Sequence, residues 1–114
     1  MHSDIAAISA LINSTYPANI DAEAALWRRC AKVSEEAGEV TEALLGMLGE
    51  NPRKGYTHTE SDVIHELLDV ALAALGACAH IRPDMDTAAA LACHATTRLA
   101  RLRAVTDATS EARP

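Results

Sequence analysis

The feature that most constrains the fold is a long helical repeat of apolar residues in the first half of the chain. From about residue 21 to residue 48, apolar side chains recur in alternating steps of four and three, at positions 26, 30, 33, 37, 40, 44 and 47. This spacing predicts one long helix with a seam that packs against another helix. Val33, Ala37, Val40 and Leu44 are expected to form its buried stripe.

Three further helical segments accompany this one, and each break between them contains proline or glycine. Thr59-Glu60-Ser61-Asp62 has the form of a capping box, which predicts the start of the third helix. Asp84 is expected to cap the fourth helix. No β-type alternation is present, so the predicted class is all-α, a four-helix bundle. The helices are expected at about residues 4–13, 21–48, 59–80 and 85–105, in a single domain of residues 1–105 followed by a flexible tail, 106–114.

The composition limits the size of the core. The 114 residues fit one domain and 49% of them are hydrophobic, but phenylalanine is absent, Trp27 is the only tryptophan and alanine is abundant. Each buried side chain therefore removes little apolar area from water. A core of this kind gains from a second chain, so we expect a homodimer or a dimer of dimers.

The net charge limits the kind of partner that the protein can bind, and the cysteines and the first residues indicate its cellular compartment. The formal net charge of −6 argues against nucleic-acid binding, which needs a basic surface. The three cysteines have no zinc-ligand or Cys-x-x-Cys spacing, and the first residues lack the basic region of a signal peptide. No apolar run approaches the roughly 18 residues that a membrane span needs. We expect a cytoplasmic protein without membrane contact.

Acidic side chains are crowded on the long helix. A helical wheel places Glu36 and Glu39 beside the apolar stripe, whereas Glu35 and Glu42 point further toward water. Carboxylates at this spacing repel one another. A solvated acidic face is the simplest interpretation of such a helix taken alone.

A second acidic pair favours a metal site. Glu66 and Asp69 occupy a narrow polar sector of the otherwise apolar third helix, at the edge of a packed interface where an unneutralised carboxylate is costly. A divalent cation would supply the missing counter-charge. Oxygen ligands without histidine or cysteine favour Mg²⁺ or Mn²⁺ over zinc.

These residues together resemble a family signature. Glu35-Glu36-x-x-Glu39 followed by Glu66-x-x-Asp69 is similar to the EExxE…ExxD pattern of the MazG-like, all-α nucleoside triphosphate pyrophosphohydrolases. The flanking KVSEEAGEV and HELLDVALA also resemble that family, and the likeness covers residues 26–80. The long segment between the motifs, which includes NPRKGYTHT, favours the MazG-like branch over the related phosphoribosyl-ATP pyrophosphohydrolases.

The resemblance implies a Mg²⁺-dependent enzyme that cleaves (d)NTPs between the α and β phosphates and releases a nucleoside monophosphate and pyrophosphate. By motif position it implies Glu36, Glu39, Glu66 and Asp69 as metal ligands. It implies Glu35 as the catalytic group that orients or deprotonates the attacking water.

Two positions depart from the family pattern and bear on substrate choice. Where many members carry an asparagine two turns after the aspartate, this chain has apolar residues and Gly76. Where members carry lysine and then arginine in the last helix, this chain has His94, Arg98 and Arg101. A non-catalytic helical module that dimerises or senses a nucleotide is therefore the alternative function, since metal binding serves both.

Five residues are candidate substrate contacts. Trp27 offers a face on which a base could stack, and the cations Lys32, Arg53, Lys54 and Arg98 offer contacts to phosphates. Each has an ordinary alternative role. Trp27 would be a core or interface residue, Lys32 would pair with Glu36, and the loop cations would be solvated.

Overall fold

The structure is a computed structural model, and it describes residues 1–112. Within that range all regular secondary structure is helical, which confirms the all-α prediction. The four helices are α1 (His2–Ser14), α2 (Ala22–Leu48), α3 (Glu60–Ile81) and α4 (Thr87–Ala112).

Side-chain caps begin α2 and α3 where the sequence predicts them. Asp21 accepts a hydrogen bond of 2.7 Å from the backbone N–H of Ala24. At the start of α3 the Thr59 N–H donates to the Asp62 carboxylate at 2.8 Å, and the Asp62 N–H donates to the Thr59 hydroxyl at 3.3 Å. The predicted capping box is therefore confirmed. Because its carboxylate accepts hydrogen bonds from the backbone N–H and the hydroxyl of Thr59, the pKa of Asp62 is lowered.

The ends of α4 differ from the prediction. Asp86, and not Asp84, accepts the hydrogen bond from the first turn, at 3.0 Å from the N–H of Ala89. The predicted cap was wrong because the helix begins only at Thr87, directly after Asp86. The helix also continues past Val105 to Ala112, through most of the predicted tail, whose last residues, 113 and 114, lie outside the described range.

Three helices pack together, and the fourth joins them only through its start. α3 packs against both α2 and α1, while the first residues of α4 contact α1 and α3. Thr87 is fully buried there, and its N–H donates to Nδ1 of His2 at 3.2 Å. Every residue from Leu91 to Ala112 is exposed, so most of α4 extends away from the other helices.

The buried line of α2 differs in phase from the predicted stripe. It is centred on Ala25, Arg29 and Ala43, which are buried, with half-buried residues between them. Ala37 and Leu44, expected in the core, are exposed. The reason is that α3 packs against the side of α2 next to the continuous apolar stripe, so part of that stripe still faces water. The half-buried members of the line are Val33, Glu36, Val40 and Met47.

The hydrophobic core of the single chain is small. The radius of gyration is 18.7 Å, whereas a compact domain of this length has a radius of about 13 Å. Large apolar side chains stay exposed on every helix. The buried hydrophobic residues are Ile5, Ala25, Ala43, Ala77 and Ala79.

The apolar character of α3 exceeds the sequence expectation. By length and composition alone it is the one described helix that could cross a membrane, with a mean hydropathy of 1.4 over its most apolar stretch. It nevertheless carries Glu66 and Asp69 near its middle and packs against α1 and α2. A cytoplasmic location stays a prediction.

We predict that Thr59→Ala lowers the free energy of unfolding by about 1 kcal/mol, because it removes a helix cap. This decrease in the free energy of unfolding should be largest at neutral pH and smaller in acid. The Thr59 hydroxyl donates to the Asp62 carboxylate at 3.1 Å and, after the backbone N–H of Thr59, lowers the pKa of Asp62 below its ordinary 3.8. The part of the decrease that comes from this hydroxyl bond is present above that pH and disappears as the pH falls through the folded pKa. Urea denaturation at several pH values measures this.

The matched control is Thr96→Ala. The Thr96 hydroxyl donates to the carbonyl of Ala92 at 3.1 Å in the exposed middle of α4, so its loss should change stability little. Equal effects of the two substitutions would contradict the capping role.

Candidate metal centre

Three glutamates from two helices bring their carboxylates together where α2 meets α3. Glu36 and Glu39 lie one turn apart on α2, and Glu66 lies on α3. One carboxylate oxygen of each lies within 4.8 Å of those of the other two. We call these three residues the acidic triad. The sequence predicted all three as metal ligands, and the packing of α2 on α3 brings them together.

Two oxygens of the acidic triad are buried and have no hydrogen-bond partner, namely Oε2 of Glu36 and Oε2 of Glu66. The side chain of Glu36 is only 13% exposed. Buried polar atoms in folded proteins are nearly always paired, and a desolvated carboxylate is costly when it is not. A solvated acidic face would not have this property. The triad therefore fits a site for a cation.

Like charge dominates the electrostatics of the triad. The pKa of Glu39 is raised, first by the negative charge of Glu36, then by desolvation and by hydrogen bonding to Glu36 and Glu66. One basic side chain compensates part of this charge, since Nζ of Lys32 lies 3.4 Å from Glu36 and 3.3 Å from Glu35. Hydrogen bonding to Glu35 is the main cause of a raised pKa for Lys32.

The other predicted acids lie around the triad and not in it. Asp69 is exposed and falls outside the group of oxygens that meet within 4.8 Å. Its side chain is one methylene shorter than that of Glu66, and it lines the cavity beside Glu36. Glu35 is more than half exposed, and Glu42 is exposed, as the helical wheel indicated.

A cavity of about 450 Å³ opens beside the triad, between α1, α2 and α3. Glu36 belongs to both the triad and the cavity wall. The wall combines apolar side chains with cations and one tyrosine. Its residues are Ile8, Ile12, Tyr16, Arg28, Arg29, Lys32, Glu36, Asp69, Leu72, Ala73 and Gly76.

Of the five predicted substrate contacts, only Lys32 lines this cavity. Trp27 is 70% exposed and lies outside it. Arg53 is exposed in the α2–α3 loop, and Lys54 lines a separate depression that also contains Glu42. Arg98 lies on the extended part of α4.

Three cavity residues were missed by the sequence analysis. Tyr16, Arg28 and Arg29 all line the wall, and the guanidinium carbon of Arg28 lies 5.3 Å from the centre of the Tyr16 ring. Arg29 carried a usable signal, because it lies four residues before Val33 and therefore on the same side of α2.

Comparison with known proteins finds no match to this chain, neither a protein-family model, nor a curated protein, nor a solved structure.

We predict that Glu39→Gln raises the melting temperature of the metal-free protein at pH 7, because it removes repulsion within the triad. The pKa of Glu39 is raised in the folded state, so the repulsion is present above that pKa and disappears as the pH falls through it. The gain should therefore vanish below the ordinary value of 4.5. Circular-dichroism melting in EDTA from pH 4 to pH 8 measures it.

Glu42→Gln is the control for this prediction. It removes the same charge from an exposed position of α2 outside the triad, and it should leave the melting curve nearly unchanged. A Glu39→Gln protein that melts at or below the wild-type temperature at pH 7 would show that the triad is not strained by like charge.

Proposed function

We propose that this chain is a Mg²⁺-dependent nucleotide pyrophosphohydrolase of the MazG-like all-α type, which cleaves (d)NTPs between the α and β phosphates to give a nucleoside monophosphate and pyrophosphate. The observation that carries the proposal is a pair of buried, unpartnered carboxylate oxygens, on Glu36 and Glu66, of which Glu36 also lines a cavity with three cations in its wall. Acids and bases at one cavity suit a ligand with anionic phosphates and a bridging metal.

The donor set supports the choice of metal. Glu36, Glu39 and Glu66 offer only carboxylate oxygens, which suits Mg²⁺ or Mn²⁺. When bound, such a cation offsets charge on phosphate oxygens and lowers the pKa of a coordinated water. Asp69, in the adjoining cavity wall, is the fourth acid of the proposed ligand set.

Other polar residues near the triad would bind the phosphates and accept a proton. Lys32 lines the cavity beside Glu36 and would hold a phosphate oxygen through a charge-assisted hydrogen bond. The Glu35 carboxylate would accept the proton of the attacking water. Its contact with Lys32, at 3.3 Å, positions it next to the triad without placing it among the ligands.

The chain exposes a large apolar surface, and we propose that a second copy of the chain covers it, in a homodimer or a dimer of dimers. The chain exposes 8432 Å², whereas a compact monomer of its mass exposes about 6000 Å². The excess of about 2400 Å² per chain is about 4800 Å² for two chains, which falls within the total area that obligate homodimers bury, about 2,000–5,000 Å². Exposed leucines on α2, α3 and α4 supply the apolar surface, among them Leu44, Leu68 and Leu102.

We predict that sedimentation at micromolar concentration shows a dimer or a larger assembly of the 12.1 kDa chain. Leu68 is 56% exposed in the single chain and would be covered in the proposed assembly. Leu68→Asp should therefore shift the equilibrium toward monomer, because it would bury a charge in the interface. Asp107→Asn, an exposed change near the end of α4, is the control. A wild-type monomer would contradict the proposed assembly.

The function is tested by pyrophosphate release from a panel of canonical and modified nucleoside triphosphates, with and without Mg²⁺. We expect turnover only with Mg²⁺. Mn²⁺ or Mg²⁺ should also raise the melting temperature, since a ligand of the folded state stabilises it. Glu66→Gln should remove both the turnover and the metal-dependent rise in melting temperature.

Two further variants separate metal binding from proton transfer. Glu35→Gln should keep the metal-dependent rise and lose turnover by roughly 10²–10⁴-fold, the usual range for a general base. Glu42→Gln should behave like the wild type. Equal turnover in these two variants would refute the role of Glu35. A metal-dependent rise without turnover on any nucleotide would favour the non-catalytic, nucleotide-sensing module.

A further inference from the structure

A buried arginine stands in the cavity wall without a counter-ion. Arg29 is only 4% exposed, and its Nη2 donates to the backbone oxygen of Ser9, to the Ser9 hydroxyl and to the Asn13 amide oxygen. These acceptors are all neutral. Among residues 1–112 Arg29 takes part in no ion pair, and its Nε is buried without a hydrogen-bond partner.

An unneutralised buried guanidinium indicates that an acceptor is missing. Burying a charge without a counter-charge or a full set of hydrogen bonds is costly, and arginine cannot lose its proton to avoid that cost. The guanidinium carbon also lies 5.9 Å from the centre of the Tyr16 ring, a cation–π contact that carries no negative charge. Nη1 lies on the cavity side, 3.6 Å from where a Cβ on Gly76 would be, and Gly76 is itself a wall residue.

The position of Arg29 indicates that its missing acceptor belongs to the base of a nucleotide and not to a phosphate. It lies seven residues before Glu36 on the same face of α2, which is about 10 Å along the helix axis. In the proposed function the phosphates lie at the triad, so Arg29 is as far away as the base of an extended nucleotide. The wall between them carries Ile8, Ile12 and Leu72, and such a surface accepts a flat ring better than a phosphate.

We infer that Arg29 is a specificity-determining residue that donates a hydrogen bond to a carbonyl oxygen of the nucleobase. The cavity would then favour bases with an exocyclic oxygen and disfavour adenine, whose exocyclic amino group would oppose the donor on Arg29. This inference rests on the proposed function in taking the ligand to be a nucleotide whose phosphates lie at the triad.

The test compares two ligands that differ only on one edge of the purine, where the carbonyl and N1–H of hypoxanthine replace the amino group and bare N1 of adenine. Inosine 5′-monophosphate and adenosine 5′-monophosphate carry an oxygen and an amino group, respectively, at the same purine position. Isothermal titration in EDTA measures their binding without metal and without turnover. We expect the wild type to bind the inosine nucleotide about 10- to 100-fold more tightly, the range for a hydrogen bond to a charged donor.

Three variants assign the preference to Arg29. Arg29→Met should bring the two dissociation constants together, whereas Arg28→Met, at the exposed neighbour in the same wall, should keep their ratio. Gly76→Ala is a second test of the same preference, for use if Arg29→Met does not fold. Its methyl group would meet Nη1 at an ordinary contact distance and take the space of the base oxygen, so it should also remove the preference in a folded protein.

The outcomes separate this inference from the proposed function. A wild-type preference below about twofold, no measurable binding of either nucleotide at millimolar concentration, or an unchanged preference in Gly76→Ala or in folded Arg29→Met would each overturn the inference. Pyrophosphate release could still occur in those cases. A preference that depends on Arg29, found without hydrolysis of any triphosphate, would support the inference and reject the enzyme.

Discussion

The packing of α2 against α3 places carboxylates inside an apolar interface, and the candidate site depends on this arrangement. Glu36 lies on the buried line of α2 between Val33 and Val40. Glu66 likewise lies between the half-buried residues Val63 and Val70 on α3. The contact that buries apolar surface therefore also desolvates two acids and brings Glu39 next to them. In the metal-free chain this arrangement opposes stability, as the raised pKa of Glu39 indicates.

A second buried charge lies on the same line of α2 and has the opposite sign. Arg29 joins α2 to α1 through Ser9 and Asn13, while α1 packs on α3. The three helices thus enclose a cavity with a guanidinium group toward one end and Glu36 with Asp69 toward the other. Charges that could neutralise each other are held two helical turns apart, which leaves both available to a ligand that spans the distance.

Small residues explain both the cavity and the open surface. Four of the five buried hydrophobic residues are alanines, so the helices meet closely but bury little area per residue. Ile5 is the one larger member of this core. The leucines that would enlarge it lie on exposed faces of α2, α3 and α4. A chain with this distribution gains more from burying those faces in an assembly than from rearranging its own core.

Local sequence was sufficient to predict the helices and most of their ends. The apolar repeat and the cap at Asp21 define α2, and the capping box at Thr59 defines the start of α3, because these signals act within one or two turns of chain. Motif spacing also found the three glutamates of the acidic triad. These features depend on interactions between residues that are close in sequence, or on the period of the helix itself.

The tertiary structure decided which side of each helix is buried. The two faces of α2, one through Ala25 and Arg29 and one through Leu26 and Cys30, differ by a single residue in phase, and only the approach of α3 selects between them. That choice buries Arg29 and leaves Asp69 outside the triad, since contacts between distant helices depend on packing geometry that a helical wheel does not contain.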